Sequence, residues 1–418
     1  MRLRLSVVCL CVCLLAVDAP AQTQVAFVGM GDSIGESVQS ADASFATQPY
    51  SFLNLIAWRM GAPFPLPYIV TGLFASISSV SGRSRVDPTV EGFNLAVSGA
   101  DVGSLLRDRA DATSPSAIDS ETDLVLYPRL GSQIEVAEAL RPSVVACWIG
   151  NNDALGAVLA PDRLDASQLT PIPQFEADFT EIVTRLHGIG AKAVFGTIPD
   201  VTRIAYLVDN DDLVRLLGTD PGLPEGSWTT LTTLLGLKLG LVQPSILNDP
   251  NYVLDSLEAS AISARITAFN NIIRSVAAAH GMAVAETAAM FDAIAANSLN
   301  IAGVPITTSY LGGLFSLDGV HPSNFGQGLA AMVFIDALNQ HYGLNIPPID
   351  WPVLGALFVS DPFIDKDGDG RVSGRFGFGL LETISSFLGI SGDTGDALPA
   401  MTSGTPTPDS LAENVARE

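Results

Sequence analysis

Short apolar runs alternate along the chain with stretches in which apolar residues recur every three or four positions. The first run, Val25-Ala26-Phe27-Val28-Gly29-Met30-Gly31-Asp32-Ser33, breaks at glycines and delivers a serine at the break. Residues 92–100 form a second run ending in small residues, and 144–149 form a third that is apolar on both faces. Residues 191–197 and 282–285 supply a fourth and a fifth. Helical spacing occupies 50–60 (closed by Gly61), 101–110, 133–140, 175–188, 257–280 and 324–339. Strands that alternate with helices of this length predict a parallel sheet covered on both faces, an α/β fold of three layers. Reactive groups in such sheets gather at the carboxyl ends of the strands. Ser33, Gly99 and Asn152 each lie just past such an end.

Four stretches fall outside this rhythm. Residues 62–90 begin Pro-rich and read as an insertion, as do 203–256. The Leu- and Gly-rich part of the second, 213–247, is expected as an apolar cap over the site. Residues 346–391 form a C-terminal extension, and 392–418, rich in Gly, Thr, Pro and acids, have the composition of a disordered tail. At the other end, Arg2 and Arg4 precede an apolar run to Val17, and Ala19-Pro20-Ala21 supplies small residues for cleavage before Gln22. Residues 1–21 therefore read as a secretory signal, and the mature protein is expected outside the cytoplasm, secreted or periplasmic. The signal's apolar core is too short to span a bilayer, and no stop-transfer segment follows.

Composition narrows the partners. A formal net charge of −23, with 44 acidic against 21 basic residues, opposes a nucleic-acid ligand. A mean hydropathy of +0.35 leaves apolar surface for a lipid-like substrate or for contact with a lipid interface. Three of the four cysteines lie within the signal, so Cys147 alone remains in the mature chain and forms no internal disulfide; its apolar run marks it as a small core hydrophobe.

The candidate chemistry pairs Ser33 with Asp318-Gly319-Val320-His321-Pro322, far along the chain. A serine hydroxyl is a weak nucleophile until a base takes its proton. His321 is the residue type for that task, and Asp318, three positions earlier, can accept from the other ring nitrogen and fix its tautomer. Alone, Gly-Asp-Ser is an ordinary turn and a lone histidine is usually structural.

Four blocks in order change that balance. Gly31-Asp32-Ser33-Ile34, Asn94-Leu95-Ala96-Val97-Ser98-Gly99, Gly150-Asn151-Asn152-Asp153 and Asp318-Gly319-Val320-His321-Pro322 resemble the blocks of the SGNH (GDSL) hydrolases, with isoleucine where leucine is usual in the first. The resemblance spans residues 24–341 and places the hydrolase domain at 22–345. It implies a flavodoxin-like parallel sheet, catalysis by Ser33, His321 and Asp318, and an oxyanion hole from the amides of Ser33 and Gly99 and the side chain of Asn152. It implies no cofactor for the chemistry. Gly31-Asp32-Ser33-Ile34-Gly35 also fits the G-x-S-x-G elbow, but that fold puts its elbow after several strands, and here it follows the first. The expected activity is hydrolysis of a small-molecule or lipid acyl ester by a lipase or esterase. Carbohydrate acetyl esterase or thioesterase action on the same fold is an alternative, as is a non-catalytic calcium-dependent binding module.

Asp365-Lys366-Asp367-Gly368-Asp369-Gly370-Arg371 has the D-x-D-x-D-G spacing that wraps carboxylates around a hard cation. Asp365, Asp367, Asp369 and the backbone carbonyl of Arg371 are candidate ligands for a structural Ca²⁺. The twelfth position, where an EF-hand has glutamate, is Phe376.

Overall fold

The computed structural model describes residues 25–72, 80–159 and 164–375. The expected signal over 1–21, the tail over 392–418 and the part of the extension beyond 375 lie outside the described residues.

The central sheet contains β1 (Phe27–Gly31), β2 (Val144–Trp148), β3 (Lys192–Gly196) and β4 (Ala283–Ala285), side by side in that order and all parallel. Register pairs Phe27 with Val144, Val144 with Lys192, and Val194 with Ala283. β1 and β2 are buried along their whole length, as a strand with helices on both faces must be.

The expected strand over 92–100 is only partly realised. It runs beside β1 as an edge, with Gly29 N–H donating to Phe93 O and Leu95 and Val97 N–H donating to Gly29 and Gly31 carbonyls, yet only Asn94 forms a ladder bridge. Asn94 turns its amide inward, donating Nδ2 to Gly35 O and accepting from Ala96 N–H, which bends the segment out of regular pleat. With this edge included, strands in chain order lie 2-1-3-4-5 across the sheet, the flavodoxin-like arrangement.

Helices cover both faces. After α1 (Ser33–Glu36), α2 (Phe52–Met60) lies on one face. On the other are α3 (Val102–Arg107), α4 (Gln133–Leu140), α6 (Ile172–Gly188) and α7 (Ser256–Ala279), which pack on one another; α5 (Asn151–Leu159) precedes α6. α8 (Thr287–Asn297) follows β4, and α9 (Asn324–Tyr342) packs beside α2 against β3 and β4. α10 (Trp351–Ser360) lies outside α9. Phe52, Trp148 and Phe334 fill the α2/α9 side with ring centroids 4.8–5.9 Å apart; Phe175, Phe179, Phe195 and Phe269 fill the other side. Each fully buried aromatic contributes roughly 1.5–3 kcal/mol by area alone.

Local signals fix the ends. Ser51 caps α2 by accepting from Leu53 N–H, and Gly61 closes it at φ +62°. α6 starts at Ile172, earlier than the apolar spacing suggests, because Pro173 sits in its first turn, where a missing N–H costs nothing. α5, α8 and α10 are not among the helices the pattern predicts, and α10 is apolar around most of its girth.

The 62–90 insertion forms an antiparallel hairpin, Ile69–Thr71 against Arg83–Arg85, outside the central sheet. Across 213–247 run the short helices Asn210–Leu217 and Leu231–Lys238 and a 3-10 turn, Pro244–Asn248, which bury Leu213, Leu231, Leu234 and Leu247. They contribute none of the side chains lining the apolar pocket described below, so the expected cap does not form there. Their leucines join the continuous hydrophobic core instead. The same insertion instead braces the loop carrying Asp318: Tyr206 N–H donates to Gly319 O at 2.8 Å.

Candidate active site

Ser33 is the first residue of α1, directly after β1. The turn that presents it is tight. Gly31 has φ +143°, and a Cβ there would lie 2.2 Å from Trp148 O on the neighbouring strand, so only glycine fits. Gln133, at the start of α4, clamps the same residue: its Oε1 accepts from Gly31 N–H at 3.0 Å and its Nε2 donates to Gly31 O at 2.9 Å. Asp32 caps α1, accepting from Ile34 N–H, and its second oxygen accepts from Asn151 Nδ2 at 2.8 Å. Burial pushes the Asp32 carboxyl up to about 6, against the pull of Asn151, the Ile34 amide and the His321 charge.

The structure brings Ser33 and His321 together. His321 Nε2 is 2.8 Å from Ser33 Oγ, and His321 Nδ1 is 2.8 Å from Asp318 Oδ2. Asp318 is surrounded by donors. Oδ1 accepts from the amides of Val320 and His321, both at 2.9 Å, and Oδ2 accepts from Ala41 N–H at 2.8 Å. Burial alone would raise its pKa. The His321 charge and hydrogen bond, with the His321 and Val320 amides, outweigh burial and hold the carboxyl below its usual range. The other histidines look elsewhere: His280 Nδ1 and His341 Nε2 meet backbone carbonyls, and His187 is exposed in the last turn of α6.

His321 is itself held from behind. Ser323 caps α9, accepting from Gly326 N–H and donating to Gly313 O. Asp361, wholly buried at the end of α10, accepts from Phe325 N–H at 2.7 Å, and Gln327 of α9 donates to Ile34 O beside the serine turn.

Gly99 and Asn152 lie near one another. Gly99 is exposed at φ +80° in a turn closed by Ala100 N–H to Val97 O. Asn152, half-buried at the start of α5, donates Nδ2 to Ala100 O at 2.8 Å. Among the described residues neither the Ser33 nor the Gly99 amide has an acceptor.

An apolar pocket opens at Ser33. Its walls include Ile34 of α1, Trp148 at the end of β2, Leu155 of α5, Ile204 at the start of the 203–256 insertion, Phe291 of α8 and Phe315 of the loop before His321. The Gly99 turn itself lines a second, more polar cavity of about 230 Å³, together with Ser104, Asp108, Glu121 and Thr122.

The carboxylates of Asp365, Asp367 and Asp369 converge, with one oxygen of each within 4.8 Å of the others. The loop is already wound by its own bonds: Asp365 accepts from the amides of Gly368 and Gly370, and Arg371 N–H donates to Asp369. Phe376 lies outside the described residues. Cys147 is fully buried, and burial raises its thiol pKa, so it is unsuited to nucleophilic work.

Several residues at the site carry no signature in the sequence. Ala41, Gln133, Gln327 and Asp361 each lie far along the chain from what they hold, and no spacing marks them. Asn151 and Asp32 were in view as members of motif blocks, but their mutual bond appears only in three dimensions.

Among the described residues no helix is long and apolar enough to cross a membrane. No curated protein matches the chain. Among solved structures, the chain is similar to LAE5, an alpha/beta hydrolase enzyme from the metagenome of Lake Arreo, Spain, at 16% identity and a TM-score of 0.38, covering 75% of this chain and 95% of that one. It is also similar to a point variant of Axe2, an acetyl xylan esterase from Geobacillus stearothermophilus, at 14% identity and a TM-score of 0.37, covering 75% and 93%. Residues 27–334 match the GDSL-like Lipase/Acylhydrolase family, a span that contains all four motif blocks. The chain belongs to the GDSL-like lipase/acylhydrolase family, and esterase- or lipase-like hydrolysis is its family's chemistry.

Proposed function

We propose that the protein is an exported serine ester hydrolase that cleaves esters of apolar acyl chains. The observation that carries the reading is the unbroken line from Asp318 through His321 to Ser33, each link 2.8 Å long. His321 Nε2 takes the Ser33 proton as Oγ attacks the acyl carbonyl, and Asp318 stabilises the imidazolium that results. The negative oxygen of the tetrahedral intermediate is received by the amides of Ser33 and Gly99 and by the Asn152 hydrogen not used on Ala100. Collapse breaks the ester C–O bond, and His321 returns the proton to the departing alkoxide, leaving the acyl group on Ser33. Water then attacks the acyl-enzyme with the same base, releasing the carboxylic acid and restoring Ser33. The apolar walls beside Ser33 suit a hydrocarbon acyl chain, which favours lipid-like esters. Residues 1–21 act as the export signal, and sequencing the mature protein is expected to find Gln22 first.

The polar cavity at the Gly99 turn favours a second reading, removal of acetyl groups from a polyhydroxylated alcohol such as a sugar. Turnover of p-nitrophenyl esters from acetyl to decanoyl separates the two. Rising kcat/KM with chain length, abolished by Ser33→Ala, supports the first, and a maximum at acetyl supports the second. Wild-type turnover in Ser33→Ala would overturn both. A structural Ca²⁺ held by Asp365, Asp367, Asp369 and the Arg371 carbonyl completes the reading. Millimolar CaCl₂ is expected to raise Tm in the wild type and not in Asp367→Asn; no rise in either would dismiss it.

A further inference from the structure

We infer that Glu36 is a positioning residue that fixes the oxyanion-binding turn, an inference that rests on the proposed hydrolysis at Ser33. Glu36 closes the helical turn that Ser33 opens, and it is wholly buried. Its Oε2 accepts from Ser98 N–H at 2.7 Å and also from Ser98 Oγ. Ser98 is the residue immediately before Gly99.

The turn conformation gives that contact its consequence. Val97 to Ala100 is closed by the Ala100 N–H to Val97 O bond, 3.1 Å, and Gly99 in its third position has φ +80°, the value of a type II turn. Types I and II differ by a flip of the central peptide, here the one joining Ser98 to Gly99. On the proposed reading the Gly99 N–H meets the oxyanion in one state; in the other the Ser98 carbonyl would, repelling the developing charge. By gripping both the amide and the hydroxyl of Ser98, Glu36 fixes the residue on one side of that peptide. The nucleophile and one of its oxyanion donors are thereby built from two ends of a single bracket.

A buried carboxylate needs support, and it comes from the hairpin outside the main sheet. Arg83 Nη2 is 3.7 Å from Glu36 Oε1, an oxygen with no hydrogen bond of its own, and Arg83 Nη1 binds both oxygens of Glu121 at 2.6 Å. Asp42 adds a further negative charge near Arg83. Burial, and then the Glu121 charge, raise the Glu36 pKa against the pull of Arg83 and Ser98. A carboxylic acid still accepts through its carbonyl oxygen, so the grip on Ser98 survives protonation.

The test measures kcat and KM on p-nitrophenyl butyrate, together with Ki for a trifluoromethyl ketone bearing the same acyl chain. Such a ketone forms a tetrahedral adduct on serine and reads the oxyanion donors at equilibrium. In Glu36→Ala, kcat is expected to fall about 10²-fold, the scale of one lost oxyanion donor. KM should stay within about twofold, and the ketone Ki should rise as kcat/KM falls. Glu36→Gln, whose amide oxygen can accept both Ser98 bonds, should recover most of the loss. Ser98→Ala, a milder change, should shift kcat and Ki in the same direction by about 3–10-fold, and it decides the matter if Glu36→Ala does not fold. Unchanged kcat and Ki in the folded variants, a rise in KM alone, or Glu36→Gln as impaired as Glu36→Ala would overturn the inference. Full turnover in Ser33→Ala would instead overturn the hydrolysis on which it rests, a separate outcome.

Discussion

The backbone amide of Ala41 donates to Oδ2 of Asp318 at 2.8 Å, the oxygen that also accepts from His321 Nδ1. A loop directly after the nucleophile's helix thus secures the far member of the proposed triad, 277 positions along the chain. With five donors on it, the fifth being Ser316 Oγ on Oδ1, Asp318 is stabilised as a carboxylate. Its folded pKa is depressed, so its contribution is fully present above the unfolded value near 3.9 and is lost as pH falls through the lower folded value. Urea unfolding midpoints should therefore separate wild type from Asp318→Asn by a constant gap above about pH 5, narrowing steadily below about pH 4. A gap that widens in acid would contradict this.

Ser40 and Ala41 both have positive φ, 52° and 68°. For a residue with a Cβ this conformation costs about 1–2 kcal/mol. Glycine removes that cost but gives back about 0.5–1 kcal/mol of chain entropy. Ala41→Gly is expected to stabilise the fold by roughly 0.5–1 kcal/mol with kcat within about twofold, measured by thermal unfolding and ester turnover. A clear loss of stability would mean that the methyl group, not the backbone, is what this position requires.

Gln133 satisfies both polar groups of Gly31 in a fully buried setting. Gln133→Leu leaves the Gly31 N–H unpaired beside Ser33, while the Gly31 carbonyl keeps the Val97 N–H. An unpaired buried group costs about 1–3 kcal/mol, so the variant should lose about that much stability. The serine turn loosens as well, so kcat should fall even in the folded fraction, as active-site titration would reveal. A variant as stable as wild type would show that water replaces the clamp.

Each buried methylene contributes about 0.8 kcal/mol, a factor of roughly four in kcat/KM where the gain is expressed in the transition state. Ile204→Trp fills part of the apolar pocket beside Ser33. It should cut kcat/KM for an octanoyl ester by at least about tenfold and leave an acetyl ester within about threefold. Equal loss on both esters would place the acyl chain elsewhere.

Asp361 carries the opposite sign from Asp318. Burial raises it to about 6, so the folded state binds its proton more tightly than the unfolded chain does. Its stabilising proton is present below about pH 4 and lost as pH rises towards 6. Relative to Asp361→Asn, wild type should lose up to about 3 kcal/mol across that window and little beyond it. A difference independent of pH would mean the carboxyl is accommodated at no electrostatic cost.

The layered fold and the pairing of Ser33 with His321 were legible because both rest on local signals. β1 and β2 are apolar runs that give way to glycine at Gly31 and Gly150, and Ser33, Gly99, Asn152 and His321 sit in short motif blocks. The segment 92–100 carries the pattern of a regular strand because nothing local says that Asn94 will turn its amide onto Gly35. The cap expected from 213–247 failed for a related reason: leucine content reports that side chains will be buried, not against what. Gln133, Ala41 and Glu36 escaped notice because ordinary residues act there through distant backbone groups, and only the folded chain makes those groups neighbours.

The 288 positions between His321 and Ser33 have a kinetic consequence. A contact so remote in sequence forms only after every intervening strand has found its place, since loop closure over that length gains nothing until the sheet is assembled. An emerging or half-assembled chain would carry the serine without its base and be chemically silent, so the onset of ester cleavage after dilution from denaturant would mark the last stage of folding rather than the first.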